Sequence, residues 1–166
     1  IVLAVCCSIT AVVFCQPKNI SIIPEPVQLV KKTGVYLLPN DIIIGATNTT
    51  AVQFAADYLQ KKISLATGYA VKVSDNSAAA NIQLLLNATT NTSIGKEGYE
   101  LSVTPQNIII KANQPAGLFY GVQTLLQLLP KEIAGKELVK NMEWAAPCVE
   151  ITDYPRFGWR GLMLDV

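Results

Sequence analysis

The order of elements in the sequence predicts a fold of the α+β class. Three observations lead there. Short β-type runs recur between turn clusters, at residues 35–38, 42–44, 70–73 and 82–86. One stretch alternates strictly and then turns back on itself, from Tyr99 to Ile110. Two further stretches carry apolar residues at helical spacing, one before most of these strands and one after them.

Composition sets the outer limits. The chain has 166 residues, 51% hydrophobic and 15% charged, which excludes disorder as its main state. A net charge of +1 leaves no electrostatic footprint for nucleic acid. There is no histidine, so Ser-His-Asp, Cys-His and His-metal chemistry are excluded from this stretch. No metal or nucleotide motif is present, and no cofactor is expected.

The elements follow in order. Residues 1–15 are uncharged and mostly apolar, and hold Cys6, Cys7 and Cys15. Spanning a bilayer takes about 20 apolar residues. The run is shorter and resembles the apolar part of a secretory signal peptide, with Val13-Phe14-Cys15 before a cut at Gln16. Two alternatives stay open, a lipoprotein signal acylated at Cys15 and an uncleaved anchor. Export is expected, to a secreted, periplasmic or lysosomal location. Without the leader one cysteine remains, Cys148, which excludes an intrachain disulfide. Its neighbours Pro147 and Val149 suggest a buried, inert thiol.

Pro24 and Pro26 favour an extended incoming segment. Pro39-Asn40-Asp41 turns the chain between the first two strands. Thr49 or Thr50 can cap a helix whose apolar positions are Val52, Ala55, Ala56, Leu59, Ile63 and Ala66. Gly68 can end it, because glycine tolerates a left-handed backbone. Residues 74–81 and 87–96 are polar loops. Tyr99, Leu101 and Val103 alternate with Glu100, Ser102 and Thr104, and Pro105-Gln106-Asn107 turns into Ile108, Ile109 and Ile110. That is a hairpin with one apolar face.

Pro115 suits the first turn of a second helix, with Leu118, Val122, Leu125, Leu126 and Leu129 as its stripe and Pro130 as its stop. Gly117 and Gly121 lie on one face of it, where bare backbone admits a close neighbour. Residues 130–146 are expected to be irregular, residues 149–151 a strand, and residues 162–164 an apolar strand buried on both faces, as in a parallel barrel. A chain ending inside such a strand, behind a leader without its initiator Met, reads as cut at both ends.

Two runs are more specific than any periodicity. One spans residues 97–130 and includes Ala116-Gly117-Leu118-Phe119-Tyr120-Gly121-Val122-Gln123-Thr124-Leu125. The other is Ile151-Thr152-Asp153-Tyr154-Pro155-Arg156-Phe157-Gly158-Trp159-Arg160-Gly161. Together they resemble the β-N-acetylhexosaminidases of glycoside hydrolase family 20. The resemblance implies an antiparallel sheet with two main helices packed on it, followed by a TIM (β/α)8 barrel of which only the start is present. It divides the chain into a leader at residues 1–15, an accessory domain at 16–146 and a truncated barrel start at 147–166.

The arginines bear on chemistry. Arg156 and Arg160 both lie in the last eleven residues, and every earlier cation is lysine. A guanidinium fork suits bidentate bonds to neighbouring sugar hydroxyls. The resemblance implies that Arg160 grips the terminal sugar far from its anomeric carbon; the plain alternative is a salt bridge, and that reading is preferred for Arg156. Asp165 is expected near the C-terminal end of its barrel strand, where it would support the site or serve structure alone. Trp159 is expected to pack rather than stack on sugar.

The implied reaction is substrate-assisted retaining hydrolysis of terminal β-linked N-acetylglucosamine or N-acetylgalactosamine. It uses an Asp-Glu pair, and no such dipeptide occurs here. No catalytic residue is therefore assigned, and the 166 residues alone are expected to be inactive. The implied partners are the glycan substrate and the chain's own downstream barrel, with homodimerisation left open. Two other functions stay open: a non-catalytic carbohydrate-binding or scaffold module, and an accessory domain of another glycosidase family. Asn19-Ile20-Ser21, Asn48-Thr49-Thr50, Asn87-Ala88-Thr89 and Asn91-Thr92-Ser93 match glycosylation acceptors, a pattern common by chance.

Overall fold

A computed structural model describes residues 20–46, 49–75, 79–159 and 161. The leader, the strand expected at residues 162–164, Arg160 and Asp165 lie outside the described residues.

The elements are β1 (Gln28–Leu37), β2 (Asp41–Ala46), α1 (Thr50–Thr67), β3 (Ala70–Ser74), β4 (Ile82–Leu86), β5 (Tyr99–Val103), β6 (Ile108–Ala112), α2 (Pro115–Leu128), a 3-10 turn at Lys131–Ala134, and β7 (Ala145–Asp153). The strands form one sheet in the order β1-β7-β5-β6-β4-β2-β3. α1 packs on β2 and β3, α2 packs on β4, β5 and β6, and the helices touch each other, so both lie on one face.

The α+β class holds, but the sheet is mixed rather than antiparallel. β2 runs parallel to β3 and to β4, and β4 runs parallel to β6. α1 carries the chain from the end of β2 back to the start of β3, a helical crossover that produces parallel neighbours. Only the β5–β6 hairpin and the β1–β7 and β5–β7 pairs are antiparallel.

The predicted hairpin forms, with Asn107 facing Thr104 at its turn. Tyr99 lies opposite Ala112, Leu101 opposite Ile110 and Val103 opposite Ile108. All six are buried, and they meet Leu118, Val122 and Leu125 of α2 in one core. Large aliphatic side chains buried in this way stabilise a fold by about 1.5–3 kcal/mol each. α1 adds Val52, Ala55, Ala56, Leu59, Ile63 and Ala66, the predicted stripe. Thr49 occupies its N-cap position without a side-chain cap bond, and Gly68 closes it at φ +72°.

Two strands are longer than their sequences suggest. β1 begins at Gln28 and passes a bulge between Lys31 and Val35. β7 begins at Ala145, so residues 145 and 146 are strand, not loop. Residues 147–153, read from the sequence as the barrel start, continue this strand: through Thr152 they run beside β1, and from Val149 to Asp153 they also pair with β5. Pro147 is tolerated because it lies beyond the reach of β5, where a missing N–H leaves no gap in that ladder.

Candidate functional site

The chemistry-bearing run leaves the sheet at the end of β7. Asp153 is the last residue of that strand and pairs with Tyr99, the first residue of β5. Its Oδ1 accepts the Val27 N–H at 3.1 Å, just before β1. Its Oδ2 accepts a long bond, 3.5 Å, from the Tyr99 hydroxyl. That hydroxyl also shares a hydrogen bond with Thr124 of α2. Burial pushes the Tyr99 hydroxyl up to about 12; the Thr124 bond works the other way, and the Asp153 charge adds to the rise.

Beyond Asp153 the chain rests on a loop. Tyr154, Pro155 and Gly158 line a 390 Å³ recess with residues 92–97. Asn113 holds that loop in shape. Its Oδ1 accepts from Asn87 Nδ2 at 2.9 Å and from the Asn91 N–H at 2.8 Å, and its Nδ2 donates to the Asn91 and Gly95 carbonyls at 2.7 and 2.6 Å. The Asn87 side chain is thus engaged in the fold, and so is that of Asn91, whose Nδ2 donates to Glu100 Oε1 at 3.3 Å; both are glycosylation matches. A side chain on Gly98 would collide with the Ile94 carbonyl, and would come within 2.8 Å of Tyr154 Cβ.

The sequence-predicted residues divide as follows. Arg160 and Asp165 lie outside the described residues. Arg156 is exposed. Trp159, expected to pack, is 86% exposed, because it lies past the last strand pairing. Cys148 is buried as expected, and burial raises its thiol. Among the described residues no cluster of three or more His, Cys, Asp or Glu side chains is arranged to hold a metal.

Sequence reasoning passed over three features. Asp153 ends β7, Asn113 follows β6, and Phe54 stands outside the α1 stripe. Phe54 stacks at 5.8 Å on Phe119, which also contacts Tyr58 at 5.4 Å and Tyr120 at 6.5 Å. This cluster lies on the outer side of the helix pair, with Phe54 64% exposed. Beside it runs a 770 Å³ groove bordered by Tyr58, Lys62, Gln123, Leu126 and Ile133. A large residue outside the buried stripe was the signal available.

Comparisons with known proteins agree with one another. Residues 19–154 match the family profile described as glycosyl hydrolase family 20, domain 2. A β-hexosaminidase of Porphyromonas gingivalis is 31% identical over 149 residues, covering 90% of this chain and 19% of the relative. A β-N-acetylhexosaminidase of Cellulomonas fimi is 30% identical over 152 residues, covering 89% of this chain and 29% of the relative. Among solved structures, the Streptomyces plicatus N-acetyl-β-hexosaminidase superposes with a TM-score of 0.77 at 32% identity, over 84% of this chain and 27% of that one. The chain thus spans less than a third of the length of these relatives. With most of its length matched, the chain belongs to glycoside hydrolase family 20, and residues 19–154 are its domain 2.

Proposed function

We propose that this chain is the accessory domain of an exported β-N-acetylhexosaminidase, joined to the start of its catalytic barrel. The carrying observation is continuity: a family domain matched over residues 19–154 runs directly into Tyr154-Pro155-Arg156-Phe157-Gly158-Trp159-Arg160-Gly161. The whole enzyme removes terminal β-linked N-acetylhexosamine by substrate-assisted retaining hydrolysis. The names of the relatives support this: two are the hexosaminidases above, and a third, from Vibrio harveyi, is an N,N'-diacetylchitobiase. A Streptomyces plicatus variant is described in complex with N-acetylglucosamine as product.

In this reading Arg160 binds hydroxyls of the terminal sugar, Asp165 supports it from the end of a barrel strand, and residues 1–15 direct export. The accessory domain meets the barrel through its outer helix face. Phe54, Phe119 and Tyr58 form an apolar ridge there, and the segment beyond Asp153 leaves beside the first turn of α2, where Gly117 abuts Gly98. Apolar patches of this kind mark interaction surfaces.

The carbohydrate-binding alternative draws on the same aromatic cluster. Sugar platforms need coplanar rings facing outward, whereas these rings are inclined to one another by 35°, 60° and 61°. Interlocked rings suit a protein neighbour better. Expression of the complete reading frame decides the matter. Release of N-acetylglucosamine or N-acetylgalactosamine from a chromogenic glycoside is the expected result. A folded full-length protein that releases neither overturns the proposal, and binding of chitooligosaccharides by the isolated 166 residues would favour the alternative.

A further inference from the structure

The segment that leads into β1 lies across α2. Ile22 is buried in the core. Ile23, the next residue, is tied by a single side chain of α2: Gln127 Oε1 accepts the Ile23 N–H at 2.9 Å, and Gln127 Nε2 donates to the Ile23 carbonyl at 3.2 Å. A primary amide offers both a donor and an acceptor, so here it takes the place of a neighbouring strand. Further on, the Val27 N–H donates to Asp153 Oδ1 at 3.1 Å. Residues 22–27 thus form a strap, fixed at both ends. Its tied residues nevertheless face solvent. Ile23 is 78% exposed and Val27 41%. Scattered surface aliphatics need no explanation. These two are held in place by side chains from two other elements, and exposed aromatic residues flank them. Tyr154 follows the residue that holds Val27, and Tyr120 lies two turns before Gln127 on α2. At its start the strand of residues borders the 770 Å³ groove through Ile20 and Ser21, and Tyr58 of the aromatic ridge borders it too.

We propose that this strap is a docking strip for the catalytic part of the same protein, with Ile23 and Val27 as its apolar contacts and Gln127 as the positioning residue that presents Ile23. The identity of the partner rests on the hexosaminidase reading above; the strip carries the contact beyond the aromatic ridge, across the groove. Two observations name the occupant. In the relatives, more than two thirds of the length lies outside the part matched by this chain. The chain leaves β7 at Tyr154, one residue past the carboxylate that holds Val27, so whatever follows β7 emerges beside the strap. A fixed isoleucine gains burial only when a partner covers it. The strip is uncharged and aliphatic, so it suits an apolar partner surface and rejects a charged one.

The test uses the full-length protein with Ile23→Asp, Ile23→Leu, Gln127→Ala and the double variant Ile23→Asp/Gln127→Ala. Hydroxyl-radical labelling, read by mass spectrometry, reports whether the Ile23 and Val27 side chains are covered. Limited proteolysis between the accessory and catalytic parts reports how often they separate. In the wild type Ile23 is expected to be labelled about fivefold more slowly than in a denatured control, as a contact that excludes water requires. Ile23→Asp is expected to raise the cleavage rate about tenfold, since a carboxylate must shed water to dock. Ile23→Leu, still apolar, is expected to stay within about twofold of the wild type. Gln127→Ala is expected to uncover Ile23 and to raise cleavage, but to add little in the Ile23→Asp background, because both changes act on one contact. A strap with a purely structural role predicts otherwise: an exposed Ile23 tolerates Asp, and cleavage does not change. Wild-type cleavage in Ile23→Asp overturns the proposal, as does labelling of Ile23 at the denatured rate. Protection that disappears when a dimer is diluted to monomer assigns the strip to a second copy and overturns it too. A folded full-length protein in which Ile23 is covered but no N-acetylhexosamine is released overturns the enzymatic reading instead and leaves the docking strip standing.

Discussion

Gly117 and Gly121 show how much a single hydrogen can decide. A Cβ on Gly117 would overlap the Gly98 carbonyl, and one on Gly121 would overlap Ile110. The helix lies as close to β5 and β6 as its backbone permits. Gly117→Ala and Gly121→Ala are each expected to cost about 1–3 kcal/mol, read as a lower denaturation midpoint. Two buried tyrosines make different predictions. The Tyr99 hydroxyl is pushed up to about 12, above the usual 10, by burial first. An unfolded chain therefore gives up this proton at a lower pH than the folded one. The stabilisation is complete below pH 10 and is lost as pH rises through about 12. Tyr99→Phe is expected to flatten that alkaline arm in pH-resolved melting; burial also raises Tyr36, which leaves a residual slope of the same sign. The Tyr36 hydroxyl is buried and has no hydrogen-bond partner among the described residues. Tyr36→Phe is thus expected to stabilise the protein by about 1 kcal/mol in denaturant titration.

At the scale of elements, ends and edges carry the information. α1 stops where Gly68 adopts a left-handed backbone, and its N–H returns to the Ser64 carbonyl. Gly68→Ala places an L-residue at φ +72° with its Cβ 3.0 Å from Leu138 Cδ1. A loss of about 1–2 kcal/mol is expected, measurable as a lower Tm with unchanged helical circular dichroism. β1 sits at one edge of the sheet with Val30, Val35 and Leu37 exposed. Its bulge and the pair Lys31-Lys32 interrupt that edge, which discourages pairing with another chain.

On the whole-molecule scale the two sides of the domain differ. One face of the helix pair is sealed on the sheet, and the other carries the exposed Phe54 beside the half-buried Phe119 and Tyr58. If the catalytic barrel covers that side, one substitution should act differently in two contexts. Phe54→Gln is expected to change the stability of the isolated 166 residues by less than about 0.5 kcal/mol, the usual range for surface positions. In the full-length enzyme it is expected to cost about 2 kcal/mol or more, as loss of an aromatic anchor does. Equal effects in both proteins would remove the docking role from this face.

The amino-acid sequence determined what depends on neighbours along the chain. Both helices, the β5–β6 hairpin with its apolar face, the close face of Gly117 and Gly121, and the family were legible in it, because side-chain period, proline and glycine act locally. Tertiary structure decided what depends on which strands meet. The mixed sheet follows from crossovers that no local pattern encodes. β7 extends back to Ala145 because β1 offers it a partner, although Ala145, Ala146 and Pro147 have little strand character of their own. The Asp153 junction joins residues as far apart in sequence as Val27 and Asp153, and so becomes visible only when the ends of β1, β5 and β7 lie side by side.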